Sequence, residues 1–251
     1  MQGLTESDLI NAFTDIGISR GTELEVHSSL SSFGYVEGGA ETVISALKKC
    51  CGESGSIFMP ALRLSKNLEL TEEDKKLGIT AKIKILPPDC TKTAMGIIAD
   101  TFRNMPDTKT SGGIMRISGW GKNADKAVTG GLDWVINNGG MALLLGVDIY
   151  KLTAMHYVEN ALPKEINDIF APSEEANKLY PPDEWLIEAG EPPVKAWYTI
   201  QDMAYQNGFI NDGYIGKCKY MFFKIADIVG LYRHELLNDP FKLYGLDFKG
   251  D

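Results

Sequence analysis

The chain has 251 residues, with 25 Lys and Arg against 34 Asp and Glu, which gives a formal net charge of −9. Hydrophobic residues make up 44% and charged residues 24%, a composition that is ordinary for a folded globular protein and excludes a disordered chain. The acidic balance argues against nucleic acid or a membrane surface as the main partner. It is compatible with a cationic substrate, and equally with simple solubility.

The N-terminal stretch and the cysteines indicate a cytoplasmic protein. Residues 1–13 carry two early acids and lack the basic and apolar regions of a signal peptide. No segment reaches the roughly 18 apolar residues that a membrane span needs. The four cysteines form no Cys-x-x-Cys pair, and the three histidines lie far apart, so we expect reduced thiols and no metal site. The sequence leaves a homodimer open.

The first half of the chain alternates strands and helices. In order, the predicted elements are a helix from Thr5 to Gly17, a strand from Leu24 to Leu30, a helix opening at Gly38-Gly39 and a strand from Ser56 to Met59. Strand, helix and strand in this order predict a crossover unit with a parallel strand pair. Residues 63–92 are charged and irregular, with one helical turn at residues 72–76.

The second half continues the same alternation. The predicted elements are a helix from Thr93 to Phe102, a strand from Ile114 to Trp120, a short helix from Leu132 to Ile136, a strand from Met141 to Val147, a helix from Thr153 to Leu162, a surface excursion over residues 163–194, a strand from Lys195 to Ile200 and a long helix from Lys219 to Leu237. The apolar run MALLLGV predicts a strand buried on both faces. Residues 1–251 are therefore predicted to form one α/β domain, with a mostly parallel or mixed central sheet flanked by helices.

His156 is the strongest candidate for chemistry. It follows the buried strand and a short loop, and Glu159 lies three residues further on, so the two side chains share one face of a helix. A carboxylate beside an imidazole orients the ring and stabilises its protonated form, which suits a general base. Ligands in open α/β sheets also bind at the ends of strands. The alternative is an ion pair on a helix surface.

The second candidate is the segment around His27. It is rich in serine at the end of a predicted strand, so its hydroxyls and backbone N–H groups are available to a polar ligand. The alternative is a turn in which the hydroxyls cap backbone groups. His234, near the end of the last predicted helix, is explained as a cation at a helix C-terminus.

Several motifs, in the same order along most of the chain, resemble the aminoglycoside 3-N-acetyltransferase family. The first motif is VHSSLSSFGYVEGGA, and a later one is MALLLGV followed by TAMHYVE. These two motifs together are specific for the family. Shorter stretches also match: residues 42–47, 55–60, 88–93, 96–103 and 215–218. The resemblance implies an α/β acyltransferase that moves an acetyl group from acetyl-CoA to an amine of an aminoglycoside antibiotic, a resistance activity.

The resemblance also implies roles for individual residues. His156 is expected to be the catalytic base with Glu159 beside it, and Thr153 is expected near the reacting thioester. The segment holding His27, Ser28, Ser29, Leu30 and Ser31 is expected to line the coenzyme, and backbone N–H groups from Ser28 to Ser31 are candidates for oxyanion donors. A polycationic substrate favours nearby carboxylates, for which we single out Asp89, Asp148 and Asp202.

One region departs from the family. Many members carry Arg-Ser-x-His-Pro-x-His-Ser before a Gly and a helix, whereas residues 110–121 of this chain contain no histidine. The acceptor is therefore open: a small cationic amine such as an aminoglycoside, or a different amine such as an amino sugar. A catalytically silent, ligand-binding relative is a third interpretation, against which the retention of His156 and Glu159 argues.

Overall fold

The described part of the chain, residues 3–190 and 194–246 of a computed structural model, contains a seven-stranded sheet and a separate two-stranded sheet. The strands are β1 (Glu23–Ser28), β2 (Ser56–Pro60), β3 (Ile79–Lys84), β4 (Lys109–Thr110), β5 (Ile117–Gly121), β6 (Met141–Leu145), β7 (Trp185–Ala189), β8 (Asn211–Ile215) and β9 (Cys218–Lys224). The large sheet has the order β4-β5-β2-β1-β6-β9-β8. Strands β2, β1 and β6 are parallel and the other neighbours antiparallel, so the predicted mixed sheet is confirmed.

Most helices cover the two faces of this sheet, and two pack with the smaller sheet. The helices are α1 (Glu6–Asp15), α2 (Gly39–Cys51), α3 (Glu72–Lys76), α4 (Ile97–Arg103), α5 (Ala124–Gly130), α6 (Asp133–Asn137), α7 (His156–Glu159), α8 (Lys164–Phe170), α9 (Glu174–Leu179), α10 (Val194–Gln206), α11 (Ile225–Asn238) and α12 (Pro240–Tyr244). Three short 3-10 turns span Leu30–Phe33, Ile149–Lys151 and Thr153–Met155. Within residues 3–190 and 194–246, no helix has the length and hydropathy of a membrane span.

The two faces of the sheet carry two separate hydrophobic cores. Helices α1, α2 and α4 pack on one face, and α5, α6, α10, α11 and α12 pack on the other. Strand β6 contributes to both, because Leu143 faces one core and Leu144 faces the other. The prediction that its apolar run is buried on both faces is therefore confirmed.

The first predicted crossover unit is present, with one shift at the following helix. Strands β1 and β2 pair in parallel around α2, as predicted. The helix predicted from Thr93 begins only at Ile97. Gly96 precedes it with a φ of +90°, and Asp100 reaches back to accept hydrogen bonds from the N–H and hydroxyl of Thr93 at 2.8 and 2.9 Å. The polar side chains therefore hold residues 93–96 as a loop before the helix.

Two element types in the second half were predicted wrongly. The strand predicted at Lys195–Ile200 is part of α10, in which Ala196, Trp197, Ile200 and Ala204 are buried at helical spacing. Aromatic and β-branched composition favours strands locally, but burial of this one face outweighs it. The helix predicted from Lys219 begins at Ile225, because residues 218–224 instead pair with both β6 and β8.

The excursion over residues 163–194 is more ordered than predicted. It contains α8, α9 and β7, and β7 pairs with β3, a strand that the sequence analysis treated as irregular. Together β3, β7, α3 and α9 enclose a small core of their own around Ile79, Ala176 and Ile187. This unit, which we call the ribbon, carries Glu188 on β7.

A buried polar cluster holds the ribbon together. Asp74 of α3 accepts hydrogen bonds from the ammonium group of Lys82 and, at 2.6 Å, from the hydroxyl of Tyr180. Both partners in the ion pair are buried. Although burial opposes it, the hydrogen bonds from Lys82 and Tyr180 hold the pKa of Asp74 well below its usual range. Because the folded pKa is depressed, this contribution to stability is complete above about pH 4 and is lost as the pH falls below it.

We expect Asp74→Ala to lower the free energy of unfolding by about 3 kcal/mol, because it leaves the Lys82 charge buried without a partner. Lys75→Ala is the matched control, since its ion pair with Glu72 is exposed and contributes at most about 1 kcal/mol. Urea unfolding followed by circular dichroism measures both. Equal effects of the two substitutions would contradict a stabilising role for the buried cluster.

Candidate active site

The carboxyl ends of β1 and β6 lie side by side. The two strands pair in parallel, with Ser28 opposite Leu145, so the loops that follow them leave the same edge of the sheet. The loops are in close contact because Gly146 has no side chain: a Cβ there would lie 1.9 Å from the Ser32 hydroxyl. The two strongest sequence candidates, the serine-rich segment and the His156 segment, are therefore neighbours. This edge is where open α/β sheets bind ligands.

A buried Glu–His pair connects the two loops. Glu25 and His27 are two residues apart on β1, so their side chains lie on the same face of the sheet. Glu25 is 0% exposed and His27 is 6% exposed. The Nε2 atom of His27 lies 2.8 Å from Oε1 of Glu25 and 3.3 Å from the backbone nitrogen of Thr153. The structure thus brings together two residues that were predicted in different roles, His27 and Thr153.

His156 and Glu159, the first and last residues of α7, form the expected pair. The Nδ1 atom of His156 lies 2.6 Å from Oε2 of Glu159. A carboxylate can only accept, so Nδ1 carries the proton and donates it to this bond. The Nε2 lone pair is then available, and the ring is accessible because the side chain is 61% exposed. Glu159 is more sheltered, at 20% exposure, and its other oxygen accepts a hydrogen bond from the indole of Trp197 at 3.0 Å.

A third carboxylate, from the ribbon, lies near this pair. Burial raises the pKa of Glu188, and repulsion by Glu159 raises it further, while His156 and Lys151 partly offset the rise. The site therefore holds more negative than positive charge within interaction range. A cation placed between the carboxylates would relieve this repulsion.

Asp148 extends the same acidic surface. It begins the 3-10 turn after β6, where its side chain accepts from the backbone N–H of Tyr150 at 3.1 Å and from the hydroxyl of Tyr198 at 2.6 Å. The hydrogen bond to Asp148 is the main cause that raises the pKa of Tyr198 to about 12. Burial raises the pKa of Tyr150, and the charges of Glu188 and Asp148 contribute. Asp148 is thus hydrogen-bonded to α10, the helix that also carries Trp197.

The serine-rich segment presents donors at the strand exit. Ser28, Ser29 and Leu30 are half-buried and Ser31 is exposed. The N–H of Ser29 bonds to the carbonyl of Leu145 at 2.8 Å, so it is already in use. Leu30 and Ser31 begin a 3-10 turn, in which the first N–H groups have no partner within the turn. These two amides, with the neighbouring hydroxyls, are suited to a ligand rich in acceptor oxygens.

Among the described residues, the structure shows no contact between the remaining predicted acids and the His156 group. Asp89 lies exposed in the loop after β3, and Asp202 lies exposed on α10. Neither side chain makes a hydrogen bond or ion pair among the described residues. Within that same part of the chain, no three His, Cys, Asp or Glu side chains are grouped so that they could hold a metal ion.

Arg116 occupies the region that lacks the family's histidines. It is buried, and its guanidinium donates to the carbonyls of Ala61 at 3.1 Å and Pro88 at 2.9 Å. This side chain joins the end of β2 to the loop around Cys90. Its hydrogen-bonding capacity is therefore largely used within the protein.

Sequence reasoning missed three residues of the site: Glu25, Trp197 and Glu188. Glu25 carried a usable signal, because a charged residue within an otherwise apolar strand, two positions from a histidine, shares its face. Trp197 and Glu188 carried none. They lie 38 and 29 residues beyond Glu159 along the chain. Only the packing of α10 brings Trp197 into contact with Glu159, and only the ribbon brings Glu188 within range of its charge.

Curated proteins similar to this chain are named as aminoglycoside acetyltransferases or as proteins like them. The aminoglycoside N(3')-acetyltransferase-like protein YokD of Bacillus subtilis is 29% identical over 184 residues, which cover 63% of this chain and 66% of the relative. Aminoglycoside N(3)-acetyltransferase III of a Salmonella species is 29% identical over 185 residues, which cover 62% of this chain and 60% of the relative. The chain thus spans a little under two thirds of the length of these relatives.

Solved structures show the same fold. A histidine-to-alanine variant of aminoglycoside acetyltransferase AAC(3)-IVa in complex with a gentamicin has a TM-score of 0.71 and 20% identity, covering 96% of this chain and 91% of that one. The binary complex of AAC-IIIb with CoASH has a TM-score of 0.68 and 18% identity, covering 94% of this chain and 97% of that one.

The mixed sheet and the His–Glu pair at its strand ends thus define an α/β protein of the acetyltransferase fold. The aminoglycoside 3-N-acetyltransferase profile matches residues 26–236, a range that contains every site residue described above except Glu25. The chain belongs to the aminoglycoside 3-N-acetyltransferase family.

Proposed function

We propose that this protein transfers the acetyl group of acetyl-CoA to an amine of an aminoglycoside. The observation that carries the proposal is the His156–Glu159 pair, whose free Nε2 opens at the strand edge beside the serine-rich segment and the carboxylates of Asp148 and Glu188. Family membership supports it, as do the coenzyme and the gentamicin held by the solved relatives.

His156 is the base in this proposal. An amine is mostly protonated near neutral pH and must lose a proton before its lone pair can attack a thioester carbon. The Nε2 atom of His156 takes that proton, and Glu159 stabilises the resulting imidazolium through Nδ1. The new N–C bond replaces the C–S bond, and the thiolate of the coenzyme leaves and is protonated. General base catalysis of this kind contributes typically about 10²–10⁴-fold.

The residues after β1 fit the coenzyme. Acetyl-CoA supplies the activated acetyl thioester when bound. The amides of Leu30 and Ser31 would donate to its acceptor oxygens, and the hydroxyls of Ser28 and Ser29 are within the same half-buried segment. His27 lies beneath this segment, where its Nε2 atom is 3.3 Å from the backbone nitrogen of Thr153.

The carboxylates of Glu188 and Asp148 would receive the positive charges of the acceptor. Glu188 is half-buried and already repelled by Glu159, so a bound ammonium group would stabilise its ionised form. An aminoglycoside carries several ammonium groups and suits such a site. Contacts of Asp89 and Asp202 with a polycationic substrate remain predictions.

A second acceptor, an amino sugar or another small amine, is favoured by one observation. The region in which many family members carry histidines contains Arg116 in this chain, and its guanidinium donates to backbone carbonyls. This side chain is therefore not available to bind an acceptor. The chemistry at His156 is the same in both cases.

We also propose that the protein works in the cytoplasm. Its four cysteines are free, and Cys50, Cys51 and Cys218 are buried. Burial raises the pKa of Cys51 to about 12, with smaller contributions from Cys50 and Glu23, so this thiol resists oxidation. A homodimer stays a prediction.

We expect His156→Ala to lower turnover at least about 10²-fold while coenzyme affinity is retained, because only the base is removed. Release of free thiol from acetyl-CoA, measured with a panel of aminoglycosides and amino sugars, reports turnover and identifies the acceptor. His234→Ala is the matched control, since among the described residues its side chain is hydrogen-bonded to Asn238 alone. Near-normal turnover in a folded His156→Ala variant would rule out its role as the base.

We expect Ser29→Trp to weaken acetyl-CoA binding at least about tenfold without unfolding the protein, because an indole would fill the strand exit. Ser54→Trp is the control. Ser54 is exposed in the turn before β2, at the opposite edge of the sheet. Isothermal calorimetry gives both affinities, and an unchanged affinity in Ser29→Trp would place the coenzyme elsewhere.

We expect the apparent KM for a polycationic amine to rise between low and high salt, because ions screen attraction over roughly 8–10 Å near physiological ionic strength. Glu188→Gln and Asp148→Asn should each reduce this salt dependence, and Asp89→Asn and Asp202→Asn test the other two acids. Glu41→Gln removes a charge from the exposed side of α2 and serves as the control. A salt response that is the same in all five variants would contradict the acidic acceptor site.

A further inference from the structure

Trp197 contacts both members of the His156–Glu159 pair. It is 1% exposed on α10, and its indole N–H donates to Oε1 of Glu159 at 3.0 Å. Its ring also meets the His156 ring edge-on, with centroids 4.9 Å apart and an interplanar angle of 61°. The Trp197 side chain therefore fixes one oxygen of the Glu159 carboxylate and limits the tilt of the His156 ring.

Glu159 needs such a partner. Its carboxylate is sheltered, so an oxygen without a donor would be costly, and rotation of the flexible side chain toward solvent would be the cheaper outcome. The backbone does little to prevent this, since α7 is only four residues long. With Oε1 fixed by Trp197, Oε2 is directed at Nδ1 of His156.

Trp197 is itself held rigidly. Its ring packs edge-on against Tyr150 at 5.6 Å and against Tyr232 at 6.5 Å. The hydroxyl of Tyr232 is hydrogen-bonded to that of Tyr244, so α10, α11 and α12 converge behind the indole. The position of the N–H is thus set by the larger of the two cores and not by the site.

We propose that Trp197 is a positioning residue, whose indole N–H orients Glu159 and thereby keeps His156 in the Nδ1–H tautomer with Nε2 free. The inference deepens the proposed function and rests on it for its kinetic consequence. Its structural consequence, the tautomer, is independent of whether any amine is acetylated.

The kinetic test is a double-mutant cycle between Trp197→Phe and Glu159→Ala. Phenylalanine keeps an aromatic ring in the core and removes the N–H. We expect Trp197→Phe alone to lower kcat about tenfold with little change in the KM for acetyl-CoA, a loss in keeping with a hydrogen bond to a charged group. In the Glu159→Ala background the same change should alter kcat less than about twofold, because its target is gone.

Trp134→Phe is the matched control. Trp134 is a half-buried tryptophan of α6 that packs against the same core. We expect no change in kcat in either background. A Trp197→Phe effect of equal size with and without Glu159 would overturn the proposal, since it would show that the indole acts by packing alone.

Nitrogen-15 NMR of the histidine rings tests the tautomer directly, and with three histidines the spectrum is simple. The His156 ring should be the Nδ1–H form in the native protein and should shift toward the Nε2–H form in Trp197→Phe, while His234 is unchanged. An unaltered His156 spectrum would also overturn the proposal. If no amine is acetylated by the native protein, the proposed function fails, and this spectrum alone decides the role of Trp197.

Discussion

The parallel pairing of β1 with β6 is the constraint on which the site depends. It aligns Ser28 with Leu145, and the absence of a side chain at Gly146 lets the following loops touch. A shift of one residue in this register would turn Glu25 and His27 to the opposite core and separate His27 from Thr153. The contact between the residues after β1 and those before α7 therefore depends on this register.

Charge is distributed unevenly around that edge. Glu25 and His27 are buried and face each other within the sheet, whereas His156 is open to solvent and Glu159 is sheltered behind it. Each imidazole therefore has its own carboxylate, with different access to water. Glu188 adds negative charge within interaction range of this second pair.

The ribbon links stability to the site. It is a small unit with three fully packed apolar residues, so the ion pair of Asp74 and Lys82 carries a larger share of its stability than such a pair does in a large core. Its strand β7 carries Glu188, whose pKa responds to the charges of His156 and Glu159. The position of Glu188 thus depends on a unit that a buried polar cluster holds together.

The sequence by itself determined the mixed α/β sheet, the crossover unit around α2, the buried strand β6 and the pairing of His156 with Glu159. These follow from periodicity and from separations of a few residues, which local geometry settles. Only the tertiary structure decided that residues 195–200 are helical, that residues 219–224 are a strand, that Trp197 contacts Glu159, and that Glu188 lies within range of its charge. The reason is physical: the gain from burying one face overrides local propensity, and contacts between distant segments depend on packing that no short stretch of sequence contains.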